Sequence, residues 1–416
     1  MQKTDAVKGT PLDLALHSVT TITNDDSGRC VLVTPIHGVG SLPTPQMSRM
    51  TIHLRIDGSP VFVGTVGGGM MEAKCQAHGV EMLKDSTLPA VSAQTYELRH
   101  GDISICGGTA RFLFERVCRN DTETRAALHR MAAIRREPYL VGVEVVRLSP
   151  YPEPGIHSRR MVVLIDPRTP GRVHSAVGSV AVDDESGADE MTRWAREKCV
   201  AMASASHMEV CRYRSMEFFF YTVAPRPTLF IMGGGHVGQE VAHVMSRTGF
   251  IIHVFDDRAE FVDPAIFPAD THTHLVHFTQ KAFEADDGAD KERLTSLPVF
   301  GTHELRRQAC DPLRSFVVIV SRGHSCDTDI LDKVIKETTP RYTGMIGSRS
   351  KIKKVFAELV TMGADQAELD RVHAPIGLPI GGDTPGEISI SIAAEIIQEW
   401  RQGHKHFTDE SKVLLD

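Results

Sequence analysis

The chain contains no block of like charges and no apolar stretch near the ~18 residues of a membrane span, across 416 residues of net charge −7. The first absence argues against a nucleic-acid or membrane-surface binder. The second argues against a membrane-spanning protein. Met1 to Leu16 also lack the apolar core of a signal peptide, so a cytoplasmic location with reduced thiols is expected. Eight cysteines form no Cys-x-x-Cys pair, which excludes a zinc ribbon or a dithiol redox motif. Twenty histidines are scattered, without a His-x-x-x-His or His-Glu-x-x-His pattern. The length itself is that of about two or three domains.

What is present is clearest from Leu229 to Asp256. A short apolar run feeds into Gly-x-Gly-x-x-Gly at Gly233, Gly235 and Gly238. An amphipathic helix follows, stopped by Gly249, and then a second apolar strand ending in Asp256. The first glycine permits the tight turn, the second lets backbone approach a phosphate, and the third lets helix and strand pack closely. The helix N-terminus offers N–H groups and a positive dipole end to an anion. Asp256 falls where a ribose hydroxyl would be held, which favours NAD over NADP, while Arg258 two residues on weakens that preference.

The predicted organisation is α/β throughout. After a loose leader, a mixed α/β domain is expected over 13–224, with a hairpin across Asp57-Gly58 and a helix at 122–134. Little can be assigned over 120–215 beyond two apolar strands, a surface loop at 182–190 and a helix near 190–204. Pro225-Arg226-Pro227 reads as a linker. Strands and helices then alternate over 225–402, the pattern of a Rossmann-like parallel sheet. Residues 403–416 form a polar tail.

Several loops carry candidate chemistry. Gly67, Gly68 and Gly69 before a helix make a second anion cradle, or else a simple turn. Cys106, ahead of Gly107 and Gly108, is a candidate soft ligand or sulfur carrier; a buried structural thiol is the ordinary alternative. In a parallel sheet, ligands sit beyond the carboxyl ends of the strands. Arg322, His324 and the neighbouring Cys326 fall there, with Asp327 as a helix N-cap, and so do Ser348, Arg349 and Lys351. Thr384 and Glu387 form a capping box that needs no ligand.

Taken in order, these strings resemble the XdhC/CoxI family, accessory proteins of xanthine dehydrogenase-type molybdenum hydroxylases. The family's Gly-Ser-x-Pro loop resembles Gly40 to Pro43, its triple-glycine element Gly64 to Glu72, and its Cys-Gly-Gly Cys106 to Gly108. Its Gly-x-Gly-His-Val resembles Gly233 to Val237, its Asp-x-Arg Asp256 and Arg258, and its Arg-Gly-His-x-x-Asp Arg322 to Asp327. Its Ile-Gly-Ser-Arg resembles Ile346 to Arg349, and its closing Pro-Ile-Gly-Leu resembles Pro375 to Leu378. Thr44 stands where the family often has arginine. The resemblance implies a non-catalytic chaperone that binds molybdenum cofactor (molybdopterin) and delivers it to a molybdenum hydroxylase apoenzyme. A cysteine desulfurase is a further implied partner, and a homodimer is the expected assembly. The implied cofactor contacts add Ser41, Glu72 and His236 to the residues above, with Cys106 as the molybdenum or sulfur ligand and Cys326 second. An NAD(P)-dependent oxidoreductase and a cysteine-based sulfur carrier remain the alternatives.

Overall fold

A computed structural model describes residues 10–22, 28–40, 48–98, 108–135, 140–149, 160–166, 169, 172–180, 185–202, 208–279 and 299–401. Ser41, Cys106 and Gly107, like the tail, lie outside them. The chain divides between Pro225 and Arg226 into two compact units. No helix among the described residues is long and apolar enough to cross a membrane.

The first unit is one motif built twice. It begins α1 (Pro11–Ile22), β1 (Arg29–Gly40), β2 (Met50–Leu54), β3 (Pro60–Gly64), α2 (Gly69–Lys84), β4 (Val91–Leu98), β5 (Gly108–Cys118). It continues α3 (Thr122–Ile134), β6 (Val141–Ser149), β7 (Arg160–Ile165), β8 (Val173–Ser179), α4 (Glu185–Met202), β9 (Met208–Tyr213), β10 (Met216–Val223). The antiparallel sheets run β3-β2-β1-β5-β4 and β8-β7-β6-β10-β9, the same order in each copy. Registers agree as well: Val33 faces Met50 and Met50 faces Gly64, as Val145 faces Met161 and Met161 faces Gly178. Gly64 (φ 84°) and Gly178 (φ 81°) share a left-handed conformation. At each, an added Cβ would run into the carbonyl oxygen of Arg49 or Arg160, the residue ahead of the paired methionine. So the stretch 120–215, only partly assigned from sequence, falls in the second copy, which runs from Thr122 to Val223. The leader gives way to α1 by Pro11, and the surface loop expected over 182–190 is helical from Glu185.

Strand alternation explains how both faces of each sheet are buried. Cys30 and Leu32 of β1 join α1, α3 and residues of β6, β7 and β10 in a core shared by the two sheets. Val31 and Val33 point the other way, toward α2. Likewise Val143, Val145 and Met161 pack beneath α4. At the shared core, four charged side chains bridge the copies. Arg49 donates to both oxygens of Glu144, and Arg160 pairs with both Glu115 and Glu144. None of the four side chains is more than 2% exposed. The Arg49 guanidinium also lies 5.2 Å from the Tyr221 ring centroid. Two cations and two anions leave the cluster neutral, which is the condition for burying it.

The second unit is a doubly wound parallel sheet. Arg226 anchors its start by donating to the carbonyls of Gly249 and Phe250. Its elements are β11 (Thr228–Met232), α5 (His236–Met245), β12 (Ile251–Asp256), β13 (Thr271–Leu275), α6 (His303–Ala309), β14 (Ser315–Ile319), α7 (His324–Glu337), β15 (Tyr342–Met345), α8 (Arg349–Thr361), α9 (Gln366–Leu369) and α10 (Pro385–Arg401). The order β13-β12-β11-β14-β15 reverses direction between β11 and β14. Leu229 and Ile231 pack under α5 and α10, while Phe230 and Met232 pack under α6, α7 and α8. The sequence expectation of a mixed α/β chain with a C-terminal Rossmann-like sheet holds.

Three histidines that look scattered in sequence come together at the β13 edge. His272 and His274 are two apart on one strand, so they share a face, and His253 sits directly opposite His272. The His253 ring stacks on Phe230 and His272, and its Nδ1 lies 3.0 Å from His274 Nε2. Burial, reinforced by His272 and His274, pulls the His253 pKa down to about 3.

Both buried arrangements can be tested by unfolding. Arg160→Ala removes the cation paired with buried Glu115 and one of the two paired with Glu144, and should destabilise the protein by about 3–5 kcal/mol, read as a lower denaturant midpoint; a change below about 0.5 kcal/mol, the scale of ordinary surface substitutions, would contradict the network. The second test concerns acid. Between about pH 6.5, where an unfolded imidazole titrates, and about pH 3, native His253 refuses a proton that the unfolded chain binds. Stability contributed by this group is therefore present above the upper limit and lost as pH falls, by up to about 1.4 kcal/mol per pH unit. His253→Phe keeps a ring in the stack and should flatten that acid limb in unfolding titrations. An unchanged slope would show that the ring is not the titrating group.

Candidate functional site

The sheet reverses between β11 and β14, and the crevice beyond their carboxyl ends is where this architecture accepts ligands. The two helices that begin there, α5 and α7, start at Gly235 and Gly323, and neither has a side-chain cap. The other described helices of this unit close their own first turns. Thr302 accepts from Leu305 N–H, Ser348 from Lys351 N–H and Asp365 from Ala367 N–H. At α10, Thr384 Oγ accepts from Glu387 N–H while the Glu387 carboxylate accepts from Thr384 N–H, so the expected capping box is present. Two helix N-termini thus lack an N-cap side chain to accept from their first N–H groups, and both lie at the switch point.

The glycine fingerprint separates into packing and approach. A Cβ on Gly233 would come within 2.5 Å of the Val320 carbonyl oxygen, and one on Gly238 within 2.0 Å of the Gly233 carbonyl oxygen. Both glycines are required by the fold. Gly235 is different: its backbone is extended (φ −66°) and nothing lies within 4 Å of an added Cβ. Among the described residues no neighbour explains why this residue is glycine.

Charge gathers around the same turn. Asp256, 1% exposed, does not face outward as a ribose ligand, contrary to the sequence expectation. Its Oδ2 accepts from Gly234 N–H at 2.8 Å and from Arg258 Nη2 at 3.0 Å, and its Oδ1 accepts from Arg258 N–H and Nε. The Arg258 guanidinium lies 3.8 Å from the Phe261 ring centroid. Arg322, from the loop after β14, reaches Asp257 at 3.2 Å and is 57% exposed. His236 and Arg349 are exposed, and Ser348 serves as the α8 cap. The backbone of His324 opens α7.

Two expectations need correction here. Asp327 is not an N-cap: it lies within the first turn of α7, fully buried, bonded to Ser321 and paired with Lys351. Cys326 is only 7% exposed, and burial, then the Asp257 carboxylate, push its thiol pKa up. That opposes the thiolate a soft ligand or sulfur carrier requires. Cys30, Cys75 and Cys199 are also buried, each pushed up to about 12 by burial. Among the described residues no group of three or more His, Cys, Asp and Glu side chains is placed to hold a metal ion.

In the first unit the triple-glycine loop holds its own anion. The Glu72 carboxylate accepts from Val66 N–H, Gly68 N–H and the Thr65 hydroxyl. Gly67, Gly68 and Gly69 all have positive φ (122°, 78° and 64°), so the backbone path accounts for the three glycines. Glu72 organises this loop rather than reaching outward, and Gly108 opens β5 beside Gly40.

Residues 229–396 match the family described as the XdhC Rossmann domain. The C-terminal unit is an XdhC Rossmann domain. The chain is 32% identical over 184 residues to the uncharacterized protein YqeB of Escherichia coli (strain K12), covering 44% of this chain and 29% of that protein. It is 23% identical over 185 residues to a probable xanthine dehydrogenase subunit of Bacillus subtilis (strain 168), 44% of this chain and 46% of that one. Each match spans less than half of the relative. A crystal structure of a xanthine dehydrogenase from Bacillus halodurans shares the fold at TM-score 0.62 and 21% identity, over 94% of this chain and 96% of that chain. The resemblance carried by Gly233 to Val237, Asp256, Arg258 and Arg322 to Arg349 therefore holds for the XdhC Rossmann domain.

The division among the glycines is testable by melting. Gly238→Ala should cost about 1–3 kcal/mol, because a backbone carbonyl must move, whereas Gly235→Ala should leave the melting temperature of the XdhC Rossmann domain unchanged. Equal losses from the two substitutions would mean that Gly235 is also a packing residue.

Proposed function

We propose that this chain is an accessory protein in the maturation of a molybdenum hydroxylase of the xanthine dehydrogenase type, binding molybdenum cofactor and passing it to the apoenzyme. It acts as a carrier rather than as a catalyst. The observation that carries this reading is the pair of helix starts without side-chain caps at the switch point of an XdhC Rossmann domain, with Gly235 open to approach. The names of the Bacillus relatives supply the enzyme class.

The residues fit the phosphate end of such a cofactor. The N-termini of α5 and α7 offer N–H donors and positive dipole ends, and Arg322 adds an exposed guanidinium suited to bidentate contact with phosphate oxygens. Gly235 leaves the space that a phosphate needs to approach the backbone. The bound group supplies the molybdenum and dithiolene chemistry of the client enzyme. This chain's task is to hold its anionic end, shield it and release it. Cys106, the sequence candidate for the molybdenum or sulfur end, belongs to the same proposal, as do delivery in sulfurated form with a cysteine desulfurase and a homodimeric assembly.

The test is pterin content. Protein purified from a host that makes molybdenum cofactor should release a fluorescent oxidised pterin, and Gly235→Val should release at least about tenfold less while folding normally, since a branched side chain fills the approach path. Absence of pterin from the parent protein would overturn the proposal.

A further inference from the structure

In a dinucleotide-binding Rossmann fold, the acid that ends the second strand is free to hold ribose hydroxyls. Here that acid is consumed. Both oxygens of Asp256 are taken by Gly234 N–H and by the backbone and guanidinium of Arg258. The short turn Ala259–Phe261 folds back so closely that a Cβ on Gly234 would lie 2.0 Å from the Phe261 carbonyl oxygen. A ribose diol therefore has no unengaged carboxylate at this position.

What the position does offer is an anchored guanidinium, paired with Asp256 and 3.7 Å from Asp257. Asp256 fixes Arg258 through Nε and Nη2, and Phe261 supports the guanidinium on one face. Two of the five N–H donors of an arginine are used in that fork. The side chain remains 23% exposed. A planar, anchored guanidinium loses little freedom on meeting a second anion, which suits it to phosphate. Open space at Gly235 and the N-terminus of α5 without a side-chain cap lie on the same edge, one strand away.

We infer that Arg258 is the specificity-determining residue of this crevice and that it reads a phosphate monoester in place of a ribose diol, with Asp256 as the residue that positions it. The chemistry is shared by two sources, the phosphate of molybdopterin and the 2′-phosphate of a phosphorylated nicotinamide dinucleotide. The inference deepens the proposed function and rests on the same crevice, yet it fails separately from it.

Two measurements on the full chain test it. Titration with NADPH and NADH, followed by nicotinamide fluorescence, reads the nucleotide source; pterin content after expression in a cofactor-producing host reads the other. The expected result is at least about a tenfold preference for NADPH that Arg258→Gln abolishes, or at least about a tenfold loss of pterin in Arg258→Gln, the scale of one lost charge-assisted contact. Arg258→Lys keeps the charge without the fork and should fall between parent and Arg258→Gln, which a folding defect would not produce. Equal affinity for the two nucleotides, or none for either, together with unchanged pterin in Arg258→Gln, overturns the inference. Pterin present in the parent alongside that result leaves the proposed function standing. A preference for NADPH in a parent without pterin does the reverse.

Discussion

The crevice is organised by the destination of one buried carboxylate. Asp256 ends β12 with almost no contact with solvent, so its charge must be matched from within the protein. It is matched twice, by the N–H of Gly234 and by the fork of Arg258. The first bond holds the glycine turn that starts α5. The second fixes a cation beside it. A residue that would serve as a ligand in an ordinary dinucleotide fold has become part of the frame, and a guanidinium is fixed beside the turn as a result.

The same economy of charge governs the first unit. Its two sheets meet through Arg49, Glu115, Glu144 and Arg160, a neutral set buried at the junction of two copies of one motif. Burying such ions is costly unless each is paired, and each is. The triple-glycine loop repeats the principle on a smaller scale. Glu72 supplies the anion that its backbone N–H groups would otherwise seek outside. An anion-receptive turn in sequence is thus not always one in structure: Gly67 and Gly68 are satisfied from within, whereas the N-caps of α5 and α7 are glycines that make no side-chain cap bond.

Features encoded locally were legible in the sequence. The strand, glycine turn, helix and second strand from Leu229 to Asp256 follow from periodicity and turn chemistry within thirty or so residues, and so does the capping box at Thr384. Features that depend on partners far along the chain were not. The duplication leaves few matching letters, chiefly Arg49-Met50 with Arg160-Met161 and Gly64 with Gly178, and strand register is needed to align them. His272 and His274 read as scattered until the strand puts them on one face, opposite His253. Asp256 was placed correctly at the end of its strand, but its occupation by Arg258 depends on side-chain geometry that spacing does not specify. Asp327 was misread for a related reason, since its partners come from elsewhere in the chain, Ser321 from the loop after β14 and Lys351 from the first turn of α8.

The central claim is that the backbone N–H groups at the starts of α5 and α7 receive an anion. Amide chemical shifts followed during titration with inorganic pyrophosphate test this most directly. The largest saturable changes should fall on Gly235, His236, Gly323 and His324, with smaller ones at Arg258. Largest changes at Gly68 to Met70, or none at the crevice, would contradict the account.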